Sequence, residues 1–165
     1  MKRVIITSLF FLISACSPHK VHTSEQLLLE KVQTAIKTQN ADPLSERDYD
    51  RISFYISEGK NHWIDLYPRL NKKPFLGMTS FQEGLNISMA YALSENPEET
   101  LKFIDGSNVG EICGVPFIEP TDDEIQAYYV KTRTALITHG TSRQWGKKCL
   151  SVLEDTVNPL HPSQD

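Results

Sequence analysis

The sequence predicts an all-α fold, a single compact domain of five to seven helices closed by one disulfide. Three observations carry this. Apolar residues recur at helical spacing in one stretch after another. Most of these stretches open on a helix-start signal, a Thr with Gln or Glu three residues later or an Asn or Asp followed by proline. No stretch alternates apolar and polar with β-branched enrichment, and no Asn-Gly or Asp-Gly joins two apolar runs. Asp105-Gly106 is present, but a helix and then polar residues flank it.

In chain order, Thr23 with Gln26 reads as a capping box, and Leu28, Leu29, Val32, Ala35 and Ile36 form the face that follows. Asp42-Pro43 is expected to open a second helix with Tyr49, Ile52, Tyr55 and Ile56 inward, stopped by Gly59. A short segment over residues 61–67 groups Trp63, Ile64 and Tyr67, and Pro68 should end or kink it. Thr79, with Gln82 three residues on, starts the next helix, whose face is Phe81, Leu85, Ser88, Met89 and Ala92. Gly84 and Ser88 are small enough for a neighbouring helix to approach closely. Asn96-Pro97 starts a short helix through Leu101, Phe103 and Ile104, closed by Gly106. Thr121 with Glu124 is a further capping box, and Asp122 and Asp123 suit the helix dipole. Its stripe is Ile125, Tyr128, Tyr129, Thr132, Ala135 and Leu136. The last helix turns Trp145, Cys149, Val152 and Leu153 to one side.

The beginning of the chain has a different character. Lys2 and Arg3 precede an apolar run over residues 4–13, broken only by Thr7 and Ser8 and followed by the small residues Ser14 and Ala15. Such a charged start, short apolar core and small cleavage residues describe a secretory signal peptide. The run is roughly half the ~20 residues that a spanning helix needs. Ile13-Ser14-Ala15-Cys16 resembles the lipobox of bacterial lipoproteins. That resemblance implies cleavage before Cys16, a diacylglycerol on its sulfur and acylation of its new amino group. Several acyl chains hold a protein firmly where one holds it marginally, at about 0.8 kcal/mol per buried methylene. Ser17, rather than Asp, follows the cysteine, which by resemblance to the enterobacterial sorting rule implies the periplasmic face of the outer membrane. The alternative is an ordinary signal peptide whose cut leaves a cysteine nearby. The expected organisation is a signal over residues 1–15, a lipidated tether over 16–22, the helical domain over 23–157 and a loose tail over 158–165.

Cys16 accounts for one of three cysteines, leaving Cys113 and Cys149 as a pair in an oxidising compartment. A bond between them closes a loop of about 37 residues, worth about 4 kcal/mol in the chain-entropy model. Zinc binding lacks the accompanying His or Cys at ligand spacing. A reactive thiol would need an activating neighbour, for which Lys147 and Lys148 are the candidates. Cleavage removes Lys2 and Arg3, taking 17 basic residues to 15 against 21 acidic ones, a net charge near −6. Such a surface is suited neither to nucleic acid nor to anionic lipid. It complements a partner with a basic surface.

Catalytic signatures are scarce. The sequence has no Gly-x-Ser-x-Gly, His-Glu-x-x-His, phosphate-binding glycine loop or dinucleotide fingerprint. Of the histidines, His19, His22 and His161 fall in the tether and tail, while His62 sits at a helix start and His139 follows a helix end. The acidic run from Glu119 to Glu124 lacks the alternating ligands and turn glycine of a calcium loop, so capping and solvated charge account for it. No catalytic residue, cofactor or metal is therefore expected.

The stretch Ile112-Cys113-Gly114-Val115-Pro116-Phe117-Ile118-Glu119-Pro120 is proline-punctuated, sets apolar groups beside acids and is pinned by the expected disulfide. Val115, Phe117, Ile118, Glu119, Asp122 and Asp123 are the candidate partner-binding residues, with lidding of the core as the competing role for the apolar three. Together with the Asn96-Pro97 helix, this stretch is similar to segments of uncharacterised proteobacterial envelope proteins, over about a third of the chain and with no activity attached. A small, acidic, helical, disulfide-bonded domain also resembles in type the immunity proteins that neutralise toxins delivered to the periplasm, such as those against cell-wall amidases. A non-catalytic protein-binding lipoprotein is thus expected. Its rivals are an accessory protein of a secretion, conjugation or wall-maintenance assembly, and a hydrolase of envelope polymer using paired carboxyls.

Overall fold

A computed structural model describes residues 23–158. Cys16, the preceding signal, the tether and residues 159–165 of the tail lie outside the described residues. Among the described residues the regular structure is entirely helical, and five helices of 12 to 17 residues carry it. These are α1 (Ser24–Thr38), α2 (Glu46–Ser57), α5 (Thr79–Glu95), α8 (Asp122–Ala135) and α9 (Gly146–Val157). Shorter helices lie between them: α3 (Asn61–Ile64), α4 (Tyr67–Leu70), α6 (Pro97–Thr100) and α7 (Val109–Cys113). α6 runs on as a 3-10 turn over Leu101–Phe103, and α8 as a π-helical turn over Leu136–Gly140. No described helix is long and apolar enough to cross a membrane.

α5 is the centre of the domain and packs against α2, α7 and α8. Its buried set is wide: Phe81, Leu85, Ser88, Met89, Ala90, Ala92, Leu93 and Ser94 all leave solvent. A helix enclosed on several sides has no polar face to spare, which explains its weak amphipathicity. Gly84 does not serve the close helix approach expected of it, since a Cβ placed there meets nothing within 4 Å. Ile52, Ile56, Trp63, Phe75, Leu136 and Leu153 are among the other fully enclosed core residues.

The caps decide where helices begin. Thr23 and Thr121 form the reciprocal capping boxes expected of them with Gln26 and Glu124. Asn96 accepts from Glu99 N–H at 3.3 Å with Pro97 in the first turn. α2 starts three residues later than expected. Asp42-Pro43 instead occupies a turn closed by Leu44 N–H on the Ala41 carbonyl at 2.9 Å, and Ser45 caps α2 in a box with Asp48. Thr79 makes no cap, because it is already the first residue of α5 and the Gln82 backbone N–H goes to the Met78 carbonyl at 2.9 Å; the Gln82 side-chain amide donates instead to the Leu70 carbonyl at 2.8 Å. Pro68 opens α4 rather than ending the segment before it.

Two glycines are required by position. Gly59, at φ +70°, ends α2 in a Schellman arrangement, with Gly59 N–H on Ile56 O at 2.8 Å and Lys60 N–H on Tyr55 O at 3.4 Å. A Cβ there would also lie 2.8 Å from Glu95 Cβ. At Gly146 a Cβ would fall 1.9 Å from the Gly140 carbonyl oxygen, so α9 can start against the π turn only with glycine at that place.

The disulfide joins Cys113 to Cys149, both fully buried, with Cα atoms 4.9 Å apart. It links α7 to α9. Cys113 therefore closes a five-residue helix that the sequence pattern did not announce, and the irregular loop begins only at Gly114.

Candidate functional site

The loop over residues 114–121 runs from the disulfide-bonded end of α7 to the capping box of α8, so both of its ends are fixed. Within it the three apolar candidates separate. Val115 and Phe117 are half-buried against the core. Phe117 meets Tyr128 and Tyr91 edge-on at centroid distances of 5.6 and 5.9 Å, and those two tyrosines meet each other at 6.1 Å. Edge-to-face ring pairs of this kind are favourable beyond the area they bury. The Tyr128 hydroxyl donates to the Ala90 carbonyl at 2.9 Å, which fixes the trio onto α5. Burial pushes both Tyr91 and Tyr128 above the usual phenol range.

Ile118 does the opposite and is 87 % exposed, the most exposed large apolar side chain among the described residues. The next residue, Glu119, is held at φ +53°, a left-handed conformation uncommon for a side chain of this kind. That reversal turns the chain into Pro120 and the α8 cap while leaving Ile118 at the apex. Lidding thus belongs to Val115 and Phe117, and exposure to Ile118.

Four acids surround the apex, but they are not equivalent. The Glu124 carboxylate is taken up by Thr121, accepting from its backbone N–H at 2.9 Å and its hydroxyl at 2.7 Å, and these bonds hold its pKa below the usual range. Glu119, Asp122 and Asp123 are exposed and have no hydrogen-bond or ion-pair partner among the described residues. Beside them lies a mainly apolar groove of about 290 Å³ floored by Phe117, Tyr91 and Tyr128 and edged by Ala127. Its far rim carries Glu95 paired with Lys131. The face is therefore an apolar apex and groove in an acidic surround.

A second feature was not foreshadowed by the sequence. A polar cleft of about 570 Å³ opens between α4, α5, the 3-10 turn and α7. The Tyr67 hydroxyl donates to Asn86 Oδ1 at 2.7 Å and accepts from Asn108 Nδ2 at 3.4 Å. Asn86 Nδ2 donates in turn to Glu111. Asn108 is committed on all sides, since Nδ2 also reaches the Phe103 carbonyl at 2.9 Å and Oδ1 accepts Asp105 N–H at 2.8 Å. Burial raises the Tyr67 phenol pKa, so the hydroxyl keeps its proton across the neutral range. These residues come from four separate segments, and polar residues that face a cleft carry no periodicity of their own.

The reading as a hydrolase of envelope polymer calls for paired carboxyls, and among the described residues Asp65 and Glu99 are such neighbours. Burial, together with the charge of the neighbouring Glu99, raises the Asp65 pKa. Glu99 is bound to Lys102 at 2.5 Å, and neither carboxyl lines the polar cleft. His62, at the start of α3 as expected, is engaged with Glu25 at 3.1 Å. His139 is exposed on the π turn.

Compared with known proteins, the chain matches no family model, no curated protein and no solved structure.

Proposed function

We propose that this is a lipid-anchored envelope protein that acts by binding a protein partner at the loop apex around Ile118, without catalysis of its own. The observation that carries the reading is the 87 % exposure of Ile118 on a loop fixed at both ends. A large aliphatic group held in water gains on transfer to an apolar pocket, at about 25 cal/mol per Å² removed. A loop already ordered loses little entropy when it docks. Glu119, Asp122 and Asp123, lacking partners within the domain, select a partner whose apolar socket is rimmed by Lys or Arg and speed its approach. The arrangement suits the plugging of a basic cleft, which is how an immunity protein against a periplasm-targeted toxin would act.

The lipid anchor is the second half of the proposal. Cys16 would carry acyl chains at the periplasmic face of the outer membrane, with residues 17–22 as tether. Two experiments test the whole. Metabolic labelling with palmitate should mark the wild type and not Cys16→Ser, and labelling of neither removes the anchor. Capture from envelope extract should recover one stoichiometric partner with the wild type and none with Ile118→Asp. Failure of the wild type to recover any partner, including a toxin encoded beside it, overturns the binding reading.

A further inference from the structure

The polar cleft built on Tyr67 has no part in the loop-apex reading, and its chemistry selects a different kind of ligand. We propose that it is a saccharide-binding site, taking one or two pyranose units of a neutral glycan.

Size is the first argument. About 570 Å³ lies within the range of roughly 300–1,000 Å³ typical of small-molecule sites. Charge is the second. Lys72 and Lys102 line the cleft together with Asp105 and Glu111, two cations against two anions. A site without net charge gains nothing from a charged ligand and must work by hydrogen bonding.

The third argument is the hydrogen-bonding capacity left after the internal network is satisfied. Asn86 has used its carbonyl oxygen on Tyr67 and one N–H on Glu111, which leaves one N–H. Glu111 has used one carboxylate oxygen and keeps the other. Asn71 has used one N–H on the Tyr67 carbonyl at 3.4 Å and keeps a donor and an acceptor. Tyr67 donates once and accepts once, leaving one lone pair. The unspent groups are thus neighbouring donors and acceptors on rigid planar side chains. Vicinal hydroxyls, each both donor and acceptor, are the ligand groups that satisfy such a set. Phe103, half-buried and packed on the core, adds an apolar ring to the wall, suited to the C–H face of a pyranose. Asn108, with both polar atoms of its side chain engaged inside the protein, is a positioning residue that holds Tyr67 and the 3-10 turn together.

The test is NMR titration of the full-length protein in detergent micelles with N,N′-diacetylchitobiose, with cellobiose and, as a comparison, with trialanine. At least one disaccharide should cause saturable shifts confined to the amides of residues 67–72, 86 and 102–111. Glu111→Ala, a change at an exposed residue, should weaken that binding by about tenfold, equal to about 1.4 kcal/mol. Ile118→Asp should leave it unchanged, which separates this site from the loop apex. The proposal is overturned if neither disaccharide gives saturable shifts in the cleft, if trialanine alone does so, or if Glu111→Ala binds saccharide as well as the wild type.

Discussion

Glu25 Oε1 accepts the indole N–H of Trp63 at 2.9 Å, so a single carboxylate on the first turn of α1 fastens that helix to α3. Its other oxygen binds Lys60 Nζ at 2.6 Å, and Lys60 lies 4.5 Å from the centre of the Tyr55 ring, which itself stacks on Trp63. Arg51 adds a bond to the Ser24 carbonyl at 2.9 Å. Glu25→Ala leaves the indole N–H without its acceptor and is expected to lower stability by about 1–2 kcal/mol. Urea denaturation followed by circular dichroism measures this, and an unchanged midpoint would show that α1 is held by its apolar face alone.

Acid should loosen the same side of the molecule. Burial alone would raise the Asp48 carboxyl, but hydrogen bonds from Lys31 and from the backbone and hydroxyl of Ser45 outweigh it and bring the pKa down to about 2. Glu25 is lowered likewise, with burial outweighed by Lys60, Trp63 and His62. A carboxyl whose folded pKa lies below its unfolded value stabilises fully above the unfolded value and loses that contribution as pH falls through the folded one. Stability should therefore decline from about pH 4.5 toward pH 2. Asp48→Asn should flatten part of that decline and cost about 1 kcal/mol at neutral pH, a modest figure because Lys31 is partly solvated. Thermal melts across that pH range check both.

Asp65 runs the other way. Its raised pKa means that the ionised form is disfavoured by folding, so its contribution worsens as pH rises through the folded value. Asp65→Asn should raise the melting temperature slightly at neutral pH and have no such effect in acid. A lowered melting temperature at neutral pH would show that the Asp65–Glu99 contact is stabilising as it stands.

Opening the disulfide releases a closure spanning 36 residues of sequence separation, for which chain entropy gives about 4 kcal/mol. A Cys113→Ala, Cys149→Ala double variant should melt well below the wild type. Since both sulfurs are buried, part of the loss is packing that alanine does not restore. Calorimetry with and without reductant on the wild type separates the two contributions.

Helix starts were the most legible feature of the sequence, because a cap is a local event. Thr23 and Thr121 need only the residues beside them, and both form as read. Asp42-Pro43 displays the same kind of signal, but the turn at Leu44 consumes it, and Ser45 with Asp48 was a second, equally local choice three residues away. The short α7 was illegible for another reason. Five residues with a glycine at Gly110 show no periodicity, and the helix exists because Ile112 and Cys113 are buried between α5 and α9. In the candidate loop the sequence identified the segment but could not divide it. Phe117 faces Tyr91 and Tyr128, which come from α5 and α8, and only their meeting leaves Ile118 outside. The polar cleft was illegible altogether, since Tyr67, Asn86, Asn108 and Glu111 meet only through the packing of α4, α5 and α7.

The central claim, that the apex at Ile118 is the face through which this protein works, is tested most directly by photocrosslinking in living cells. A photoreactive amino acid replaces Ile118 in one strain and Lys37, on the last turn of α1, in another. Stability should be unaffected at either exposed site, within about 0.5 kcal/mol. The account predicts one discrete crosslinked species from position 118, lost when Asp122 and Asp123 are changed to Lys, and none from position 37. The same adducts from both positions, or none from position 118 in cells that produce the protein and its genetic neighbours, would contradict it.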